Sequence, residues 1–175
     1  MNIRDIIKKI FRRKSYVDHL IERGLKVGEN FNIYNSNIDY SHCFLIEIGK
    51  DVTITNSVIL AHDASTKRAL GKSKIGKVVI GDRVFIGWGS TIMPNVKIGN
   101  DVIIGAGSVV TRDIPSNSVV AGVPAKVIGK TSEYIIKNKS LMQNSPVYQT
   151  NWRNKTAEEI KKIRSDLNTK IGFDD

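Results

Sequence analysis

The chain has 175 residues, of which 41% are hydrophobic, and its formal net charge at pH 7 is +10. This length accommodates one domain with short appendages. The basic charge admits an anionic lipid or a phosphorylated cofactor as a partner, whereas few aromatic residues and no RNA-binding or zinc-finger signature argue against nucleic acid. The single cysteine, Cys43, excludes an intramolecular disulfide and a cysteine-built zinc site, and it is typical of a reducing cytoplasm.

Residues 1–24 are predicted to form a helical segment. Within residues 1–14, apolar residues at helical spacing form one stripe and basic residues occupy the opposite side. Two interpretations stay open for this stretch: a cap on the domain that follows, or an interfacial helix in peripheral contact with anionic lipid. For residues 16–23 we favour the cap. Because the chain shows neither a signal-peptide core nor a membrane-spanning apolar run, we expect a cytoplasmic protein, with residues 1–14 as the part that contacts a membrane if any does.

Residues 25–60 carry an aliphatic pattern with a period of six that is interrupted. The aliphatic residues predicted to point inward are Val27, Ile33, Ile48, Ile54 and Leu60. The first break follows Ile33 and predicts an irregular corner near Asn35 to Phe44. The second break follows Leu60, where the polar and basic residues 61–79 predict a loop with His62 at its root.

Residues 80–114 repeat one six-residue pattern without interruption. An aliphatic residue begins each hexad, and the series is Ile80, Ile86, Ile92, Ile98, Ile104 and Val110. Glycine follows at four of these positions, as Gly81, Gly87, Gly99 and Gly105. A period of six fits neither a helix nor strand alternation, and it favours a solenoid in which each hexad is one short strand and one corner. We expect the aliphatic residue to point inward and the glycine to take a backbone conformation that other residues resist.

This pattern resembles the hexapeptide-repeat acyltransferases, and the whole chain is most similar to their O-acetyltransferases of surface-polysaccharide pathways. The resemblance implies an all-β solenoid: a left-handed parallel β-helix over residues 25–130, with short N- and C-terminal helices. In that family three hexads form one coil, so that residues eighteen apart stack. The resemblance also implies a homotrimer with active sites between subunits, acetyl-CoA as co-substrate and no required metal.

Residues 131–175 are predicted to form a C-terminal helical extension. In the family, the segment just before it, which contains Gly122 to Lys126, closes the last coil. Thr156 and Glu159 form a capping-box pattern, and apolar residues follow at helical spacing. A short helix is therefore expected from Thr156 to about Asn168, packed on the solenoid or on a neighbouring subunit.

His62 is the predicted catalytic base. It stands at the root of the phase-breaking loop, and the family places its base in a corresponding loop. Attack on a thioester needs a group that removes a proton from the acceptor, and imidazole suits this role near neutral pH. Asp63 or Asp39 is expected to orient the ring or to bind the acceptor, with an exposed surface carboxylate as the alternative for each. His42 is a candidate for acceptor binding, against a structural corner residue, and His19 is expected to be structural.

The resemblance also supplies expected contacts for acetyl-CoA, whose pantetheine arm is expected along the groove between two prisms. Ala106 matches the CoA-contacting alanine of the family, Thr111 its nearby threonine, and Lys126 a basic residue that reaches the nucleotide phosphates. Trp88 falls on the same wall. Phe85 stands where galactoside and maltose acetyltransferases often carry a tryptophan near the acceptor, which leaves the shape of the acceptor site open.

Other functions share this fold. A γ-class carbonic anhydrase needs three histidines on zinc, and no histidine follows His62 in this chain. A serine acetyltransferase normally carries a long helical domain ahead of its solenoid, where this chain has a short segment. A non-catalytic trimer or binding scaffold is disfavoured by His62, its loop and the glycine-rich segment around Ala106. The expected function is acetyl transfer to a sugar hydroxyl, with a sugar amine, a xenobiotic or another small acceptor as the alternative.

Overall fold

The computed structural model describes residues 14–175. The apolar stripe, with its two open interpretations as a cap or an interfacial helix, lies within residues 1–13 and thus outside the described residues. The described chain begins with helix α1 (Tyr16–Glu22), which is capped by the side chain of Ser15. Leu20 is the buried residue of this helix and belongs to the same hydrophobic cluster as the strands that follow.

The next strands pass through three sheets in turn, and each passage through sheets A, B and C is one coil. Sheet A contains the parallel strands β1 (Lys26–Val27), β4 (Ile46–Ile48), β9 (Val78–Ile80) and β12 (Val96–Ile98). Sheet B contains the parallel strands β2 (Asn32–Tyr34), β5 (Thr53–Thr55), β10 (Phe85–Ile86), β13 (Ile103–Ile104) and β15 (Val119–Ala121), followed by the antiparallel strand β16 (Lys126–Gly129). Sheet C contains the parallel strands β3 (Asn37–Ile38), β6 (Val58–Ile59), β11 (Thr91–Ile92) and β14 (Val109–Val110).

Strand pairing places equivalent residues of successive coils directly above one another. Ile80 pairs with Ile98, which confirms the predicted stacking of residues eighteen apart. In sheet B, Ile54, Ile86 and Ile104 form an inward column in which every side chain is fully buried. Burial of one such side chain contributes about 1.5–3 kcal/mol. The first residue of each hexad therefore contributes to the core, together with the buried Val84, Val96 and Val102.

One early position departs from the predicted register. Ile59, and not Leu60, points into the core, since Ile59 pairs with Ile92 and has no exposed surface. The cause is the corner between sheets B and C, which is one residue shorter in this coil than in the next. Asn56 makes the tighter turn in a left-handed conformation with a φ of 42°. The prediction for Leu60 is wrong because a constant period of six does not hold across a shortened corner.

The hexad glycines are required by a close approach of neighbouring coils. A Cβ atom added to Gly81 would lie 2.8 Å from the backbone of Gly99, and one added to Gly49 would lie 2.7 Å from the backbone of Gly81. The left-handed backbone conformation occurs two residues after these glycines, at Asp51 and Arg83, each with a φ of 55°. The predicted reason for the glycines is therefore wrong: they leave room for the next coil, and the special conformation falls two residues later.

The two long interruptions of the six-residue period occur at the corner between sheets C and A. The first coil leaves the pattern after β3, in residues 39–45, which end in a 3-10 turn (Cys43–Leu45). The second coil leaves it after β6 as a hairpin of the antiparallel strands β7 (His62–Asp63) and β8 (Lys74–Ile75). The hairpin also contains a 3-10 turn (Ala64–Thr66) and the short helix α2 (Lys67–Leu70). The irregular segment 39–45 follows β3, and the hairpin follows β6. Because these two strands are paired, both segments begin side by side at one edge of sheet C.

A second compact unit covers Ser132–Asp175. The C-terminal elements are α3 (Thr131–Gln143), β17 (Val147–Tyr148), a 3-10 turn (Trp152–Asn154), α4 (Ala157–Asp166) and β18 (Phe173–Asp174). Helix α4 begins with the predicted capping box, in which Thr156 and Glu159 satisfy each other's backbone N–H groups. Helix α3 lies within the predicted helical extension but is not among the individually predicted helices, because its apolar residues do not fall on one side. No helix within residues 14–175 has the length and apolar character needed to cross a membrane.

Candidate active site

A buried carboxylate lies at the edge of sheet C where the irregular segment 39–45 and the hairpin begin. Asp39 is the first residue after β3, and its backbone N–H donates to the carbonyl of Ile59 at 2.8 Å. Its side chain is only 2% exposed. Since Ala61 and His62 follow β6 at the same corner, the stacking of two coils brings this carboxylate against the start of the hairpin.

Three donors surround the Asp39 carboxylate. Oδ1 accepts from the backbone N–H of His42 at 3.1 Å, and Oδ2 accepts from the backbone N–H of Ala61 at 3.1 Å. Oδ2 also contacts Nδ1 of His62. Burial raises the pKa of Asp39, but the hydrogen bonds from His62, Ala61 and His42 outweigh burial and hold the pKa below its ordinary value. Asp39 is therefore ionised at neutral pH and presents a fixed negative charge to the His62 ring.

This contact fixes the tautomer of His62. An ionised carboxylate only accepts hydrogen bonds, so Nδ1 of His62 carries the proton that faces Asp39. When the ring is neutral, Nε2 then keeps its lone pair. Pairing with Ile75 in the hairpin positions the backbone of His62, while 35% of its side chain stays exposed. A neutral imidazole with an available Nε2 is the arrangement that accepts a proton from a bound hydroxyl.

His42 completes a cluster with Asp39 and His62. Its ring centroid lies 4.7 Å from that of His62 and 5.9 Å from that of Phe44. Nδ1 of His42 lies 3.6 Å from Oδ1 of Asp39, and this buried nitrogen has no hydrogen-bond partner among the described residues. The structure thus brings together three of the residues selected from the sequence. Phe44 is missing from that selection, because an irregular corner gives no periodic signal for what packs beside its histidine.

Asp63 has a different set of contacts from Asp39. Its carboxylate accepts from the backbone N–H of Ser65 at 2.8 Å and pairs with Nζ of Lys74 at 2.6 Å. Hydrogen bonds from Lys74 and then Ser65 hold the pKa of Asp63 well below its ordinary value. Of the two carboxylates left open by the sequence, Asp39 is the one in contact with the His62 ring, whereas Asp63 fastens the two strands of the hairpin. Lys74 is missing from the sequence-derived candidates, and its only signal is its place in the basic loop.

A groove of about 420 Å³ lies beside the hairpin. Its lining residues are Asp63, Lys74, Ile75, Met93, Pro94, Asn95 and Thr111. Thr111, selected as a CoA contact, directly follows β14 at the corner between sheets C and A. It therefore shares this groove with Asp63, at the same edge of the coils as the Asp39–His62 contact.

Other residues selected for acetyl-CoA follow the opposite edge of sheet C. Trp88 and Ala106 stack at the corner between sheets B and C, where the N–H of Gly107 donates to the carbonyl of Trp88 at 2.8 Å. Trp88 is 59% exposed. Lys126 begins β16 and pairs with Ala121, which continues the same corner into the last coil. One chain therefore carries these residues along one edge and the histidine cluster along the other.

Phe85, selected for the acceptor site, lies on the outer face of sheet B. It pairs with Thr53 and Ile103 in the neighbouring strands and is 44% exposed. Sheet B is separated from the histidine cluster by the whole of sheet C. Within one chain, Phe85 therefore lies nearer to the edge that carries Trp88 than to His62.

Relatives of this chain share its repeats. Residues 77–112 match the family described as bacterial transferase hexapeptide (six repeats). Protein CapG of Staphylococcus aureus is 38% identical over 142 residues, which cover 77% of this chain and 83% of CapG. WbbJ of Escherichia coli (strain K12), a protein named as a lipopolysaccharide biosynthesis O-acetyl transferase, is 37% identical over 122 residues, or 59% of this chain and 62% of WbbJ.

Two solved structures are similar in both sequence and fold. A hexapeptide-repeat acetyltransferase of Vibrio cholerae O1 biovar eltor, in complex with acetyl coenzyme A, is 26% identical with a TM-score of 0.56, over 62% of this chain and 61% of that one. A maltose O-acetyltransferase of Clostridium difficile 630 is 32% identical with a TM-score of 0.52, over 72% of this chain and 83% of that one. The repeats and the match to most of CapG show that the chain belongs to the hexapeptide-repeat transferase family, in which it is an acetyltransferase.

Proposed function

We propose that the protein moves the acetyl group of acetyl-CoA to a sugar hydroxyl, with His62 as the general base. The donor is supported by the Vibrio cholerae relative that was crystallised with acetyl coenzyme A. The sugar hydroxyl is supported by the relatives named as O-acetyltransferases, one of maltose and one of lipopolysaccharide biosynthesis. The observation that carries the proposal is the contact between the buried Asp39 carboxylate and Nδ1 of His62.

The proposed reaction uses both nitrogens of His62. Nε2 accepts the proton of the acceptor hydroxyl while the hydroxyl oxygen forms a bond to the thioester carbonyl carbon. Asp39 stabilises the positive charge that forms on the ring, because its carboxylate already accepts from Nδ1. Collapse of the tetrahedral intermediate breaks the carbon–sulfur bond, and the departing thiolate takes the proton from Nε2. The products are an acetyl ester and free CoA, and His62 returns to its neutral form.

The proposed architecture is a left-handed parallel β-helix that assembles as a trimer, with each active site between two subunits. Membership of the hexapeptide-repeat family supports the handedness. The placement of the candidate residues supports a shared site: a CoA molecule held along the corner of Trp88 and Ala106 would have to cross sheet C to reach His62 of its own subunit. Contact with His62 of a neighbouring subunit avoids that crossing.

The proposed contacts assign different residues to three parts of CoA: the pantetheine arm, the nucleotide phosphates and the reactive end. Ala106 leaves space for the slender pantetheine arm to approach the backbone, and the exposed ring of Trp88 offers an apolar wall beside it. Lys126, which is exposed on the last strand, attracts the nucleotide phosphates. Thr111 stands at the other edge of sheet C and is assigned to the reactive end, near the groove of the hairpin.

The acceptor is proposed to bind between the hairpin and the histidine cluster. His42 and Asp63 offer polar groups on either side of His62, and Phe85 of the facing subunit offers an apolar surface for the sugar ring. We assign the acceptor to surface-polysaccharide biosynthesis, that is to capsule, O-antigen or exopolysaccharide. The support for this assignment is the similarity to WbbJ together with the basic hairpin, which suits an anionic acceptor.

A panel of acceptors tests the proposal. The purified full chain is incubated with acetyl-CoA and a free, a nucleotide-linked or a lipid-linked sugar, and with an amino sugar as the amine control. Thiol release is followed, and the product is analysed by mass spectrometry for an acetyl ester. We expect ester formation on at least one sugar hydroxyl and its loss in His62→Ala. Acetylation of the amine alone would overturn the assignment of the acceptor, and no acetyl transfer to any member would count against the enzyme itself.

A further inference from the structure

We infer that Asp39, His42 and His62 form a binding site for a zinc-type divalent metal ion, and that this metal inhibits the transferase. The three residues each offer a ligand atom, and these atoms all lie within 4.8 Å of one another. Binding of the metal goes beyond the proposed function, while inhibition rests on it. The two parts are therefore tested separately.

The spacing of the cluster fits ligands of one ion. Tetrahedral zinc with bonds of about 2.1 Å separates neighbouring ligand atoms by roughly 3.4 Å. Nδ1 of His42 and Oδ1 of Asp39 are 3.6 Å apart, close to this value. Nδ1 of His62 contacts the other carboxylate oxygen, so this nitrogen has to move away from the carboxylate to leave room for the ion. Two imidazoles and one carboxylate form a ligand set common to zinc sites with one open position.

One candidate ligand atom of the cluster has no hydrogen-bond partner among the described residues. Nδ1 of His42 is buried and makes no hydrogen bond within residues 14–175, although it faces the carboxylate of Asp39. A buried polar atom without a partner costs about 1–3 kcal/mol, and a bound cation removes this cost. The carboxylate itself is 2% exposed and fixed by two backbone N–H groups, so one ligand is already in place. The His42 and His62 side chains are 27% and 35% exposed, which leaves a path for the ion.

The donor set selects the kind of metal. Imidazole nitrogen favours zinc and its transition-metal neighbours, whereas magnesium prefers oxygen ligands in octahedral geometry. Zinc bound to Nδ1 of His62 would replace the contact with Asp39 and place two positive charges beside the ring. Because the metal takes the lone pair of Nδ1, the neutral ring carries its one proton on Nε2, which then has no lone pair left for the proton of the acceptor hydroxyl. The metal therefore occupies the groups that activate the base.

Direct binding is measured first, on the full chain and without acetyl-CoA. Zinc sulfate is titrated calorimetrically, and bound metal is counted after dialysis; magnesium chloride is the second probe. We expect one zinc ion per subunit and no uptake of magnesium. Loss of a residue that only orients a metal ligand weakens metal binding about 10- to 100-fold, so loss of the ligand itself in His42→Ala or His42→Gln is expected to exceed that range. His19→Ala is the matched control, because His19 lies on α1, outside the cluster.

The outcomes separate binding from inhibition. Zinc binding that is unchanged in both His42 variants, or that disappears in His19→Ala, would overturn the site. Binding that depends on His42 while wild-type turnover stays constant at saturating zinc would overturn inhibition. We expect turnover to fall with zinc occupancy and to recover when a chelator is added. If no acetyl transfer is ever detected, the calorimetric result still decides the metal site, so failure of the proposed function is distinguishable.

Discussion

Asp39→Asn removes the charge behind His62 with little change in volume. The carboxylate accepts from two backbone N–H groups and from the ring, whereas an amide has one acceptor oxygen and an NH₂ group that only donates. A hydrogen bond to a charged group contributes about 1.5–3 kcal/mol, and each 1.36 kcal/mol changes a rate about tenfold. Loss of this support alone lowers kcat by roughly 10- to 150-fold.

A change in the preferred tautomer of His62 is expected to lower kcat further. An NH₂ group facing Nδ1 of His62 favours the ring form with its proton on Nε2, which cannot act as a base. The same substitution in a Ser-His-Asp triad lowers kcat about 10,000-fold for this reason. The His62 side chain is 35% exposed and has more freedom to turn than a buried triad ring, so we expect a loss of about 100-fold or more, below the triad value.

The assay compares kcat and the KM for acetyl-CoA at equal concentrations of folded protein. The KM should change little, since Trp88, Ala106 and Lys126, which are assigned to the pantetheine arm and the phosphates, lie at the other edge of sheet C. Asp101→Asn is the control: Asp101 pairs with Arg83 at 2.7 Å on the surface, and its φ of 56° is one that asparagine tolerates. A kcat for Asp39→Asn within a factor of about ten of the control, with normal melting, would refute the role of Asp39.

Three further predictions concern the donor, the core and the assembly. Lys126→Glu should raise the KM for acetyl-CoA roughly 30-fold with kcat nearly constant, since two charges about 4 Å apart in water interact by about 1 kcal/mol and reversal of the sign changes this energy by about 2 kcal/mol; Lys161→Glu on α4 is the control, and equal KM values would remove Lys126 from the CoA site. Ile86→Ala should cost about 2–5 kcal/mol in denaturant unfolding and Ile86→Val about 0.5–1.5, because Ile86 is fully buried between Ile54 and Ile104; equal costs would contradict the stacked core. Light scattering should give the mass of a trimer at working concentration, and an active, stable monomer would contradict a site shared between subunits.

The regular part of the fold is predictable because each repeat of the six-residue sequence pattern forms the same structural unit, one short strand and one corner. Each inward isoleucine of residues 80–114 stacks on the equivalent residue of a neighbouring coil. The period of six therefore predicts both the strands and their register. The register fails at Leu60, where one shortened corner shifts the buried residue to Ile59. Periodicity also gives the wrong reason for the glycines, because a spacing between residues does not reveal how closely the next coil approaches.

The candidate site is less predictable because it is built where the pattern breaks. His62 is found from the broken phase, but the choice between Asp39 and Asp63 depends on which carboxylate points at the ring. That choice is made by pairing between β3 and β6, which brings together residues distant in sequence. Asp63, which is next to His62 in the sequence, instead forms an ion pair with Lys74 across the hairpin. Helix α3 is predicted only as part of the helical extension, since its apolar residues do not fall on one side.

Turnover of His62→Ala per folded subunit tests the central claim most directly. Acetyl-CoA affinity and melting temperature are measured on the same sample, and His19→Ala serves as the matched histidine control. The account predicts that turnover falls about 100- to 10,000-fold, because only the general base is lost. It also predicts unchanged CoA affinity and melting, since His62 lies on the hairpin and outside the inward columns. Turnover near that of the wild type in a folded His62→Ala protein would contradict acetyl transfer by an Asp39-supported histidine.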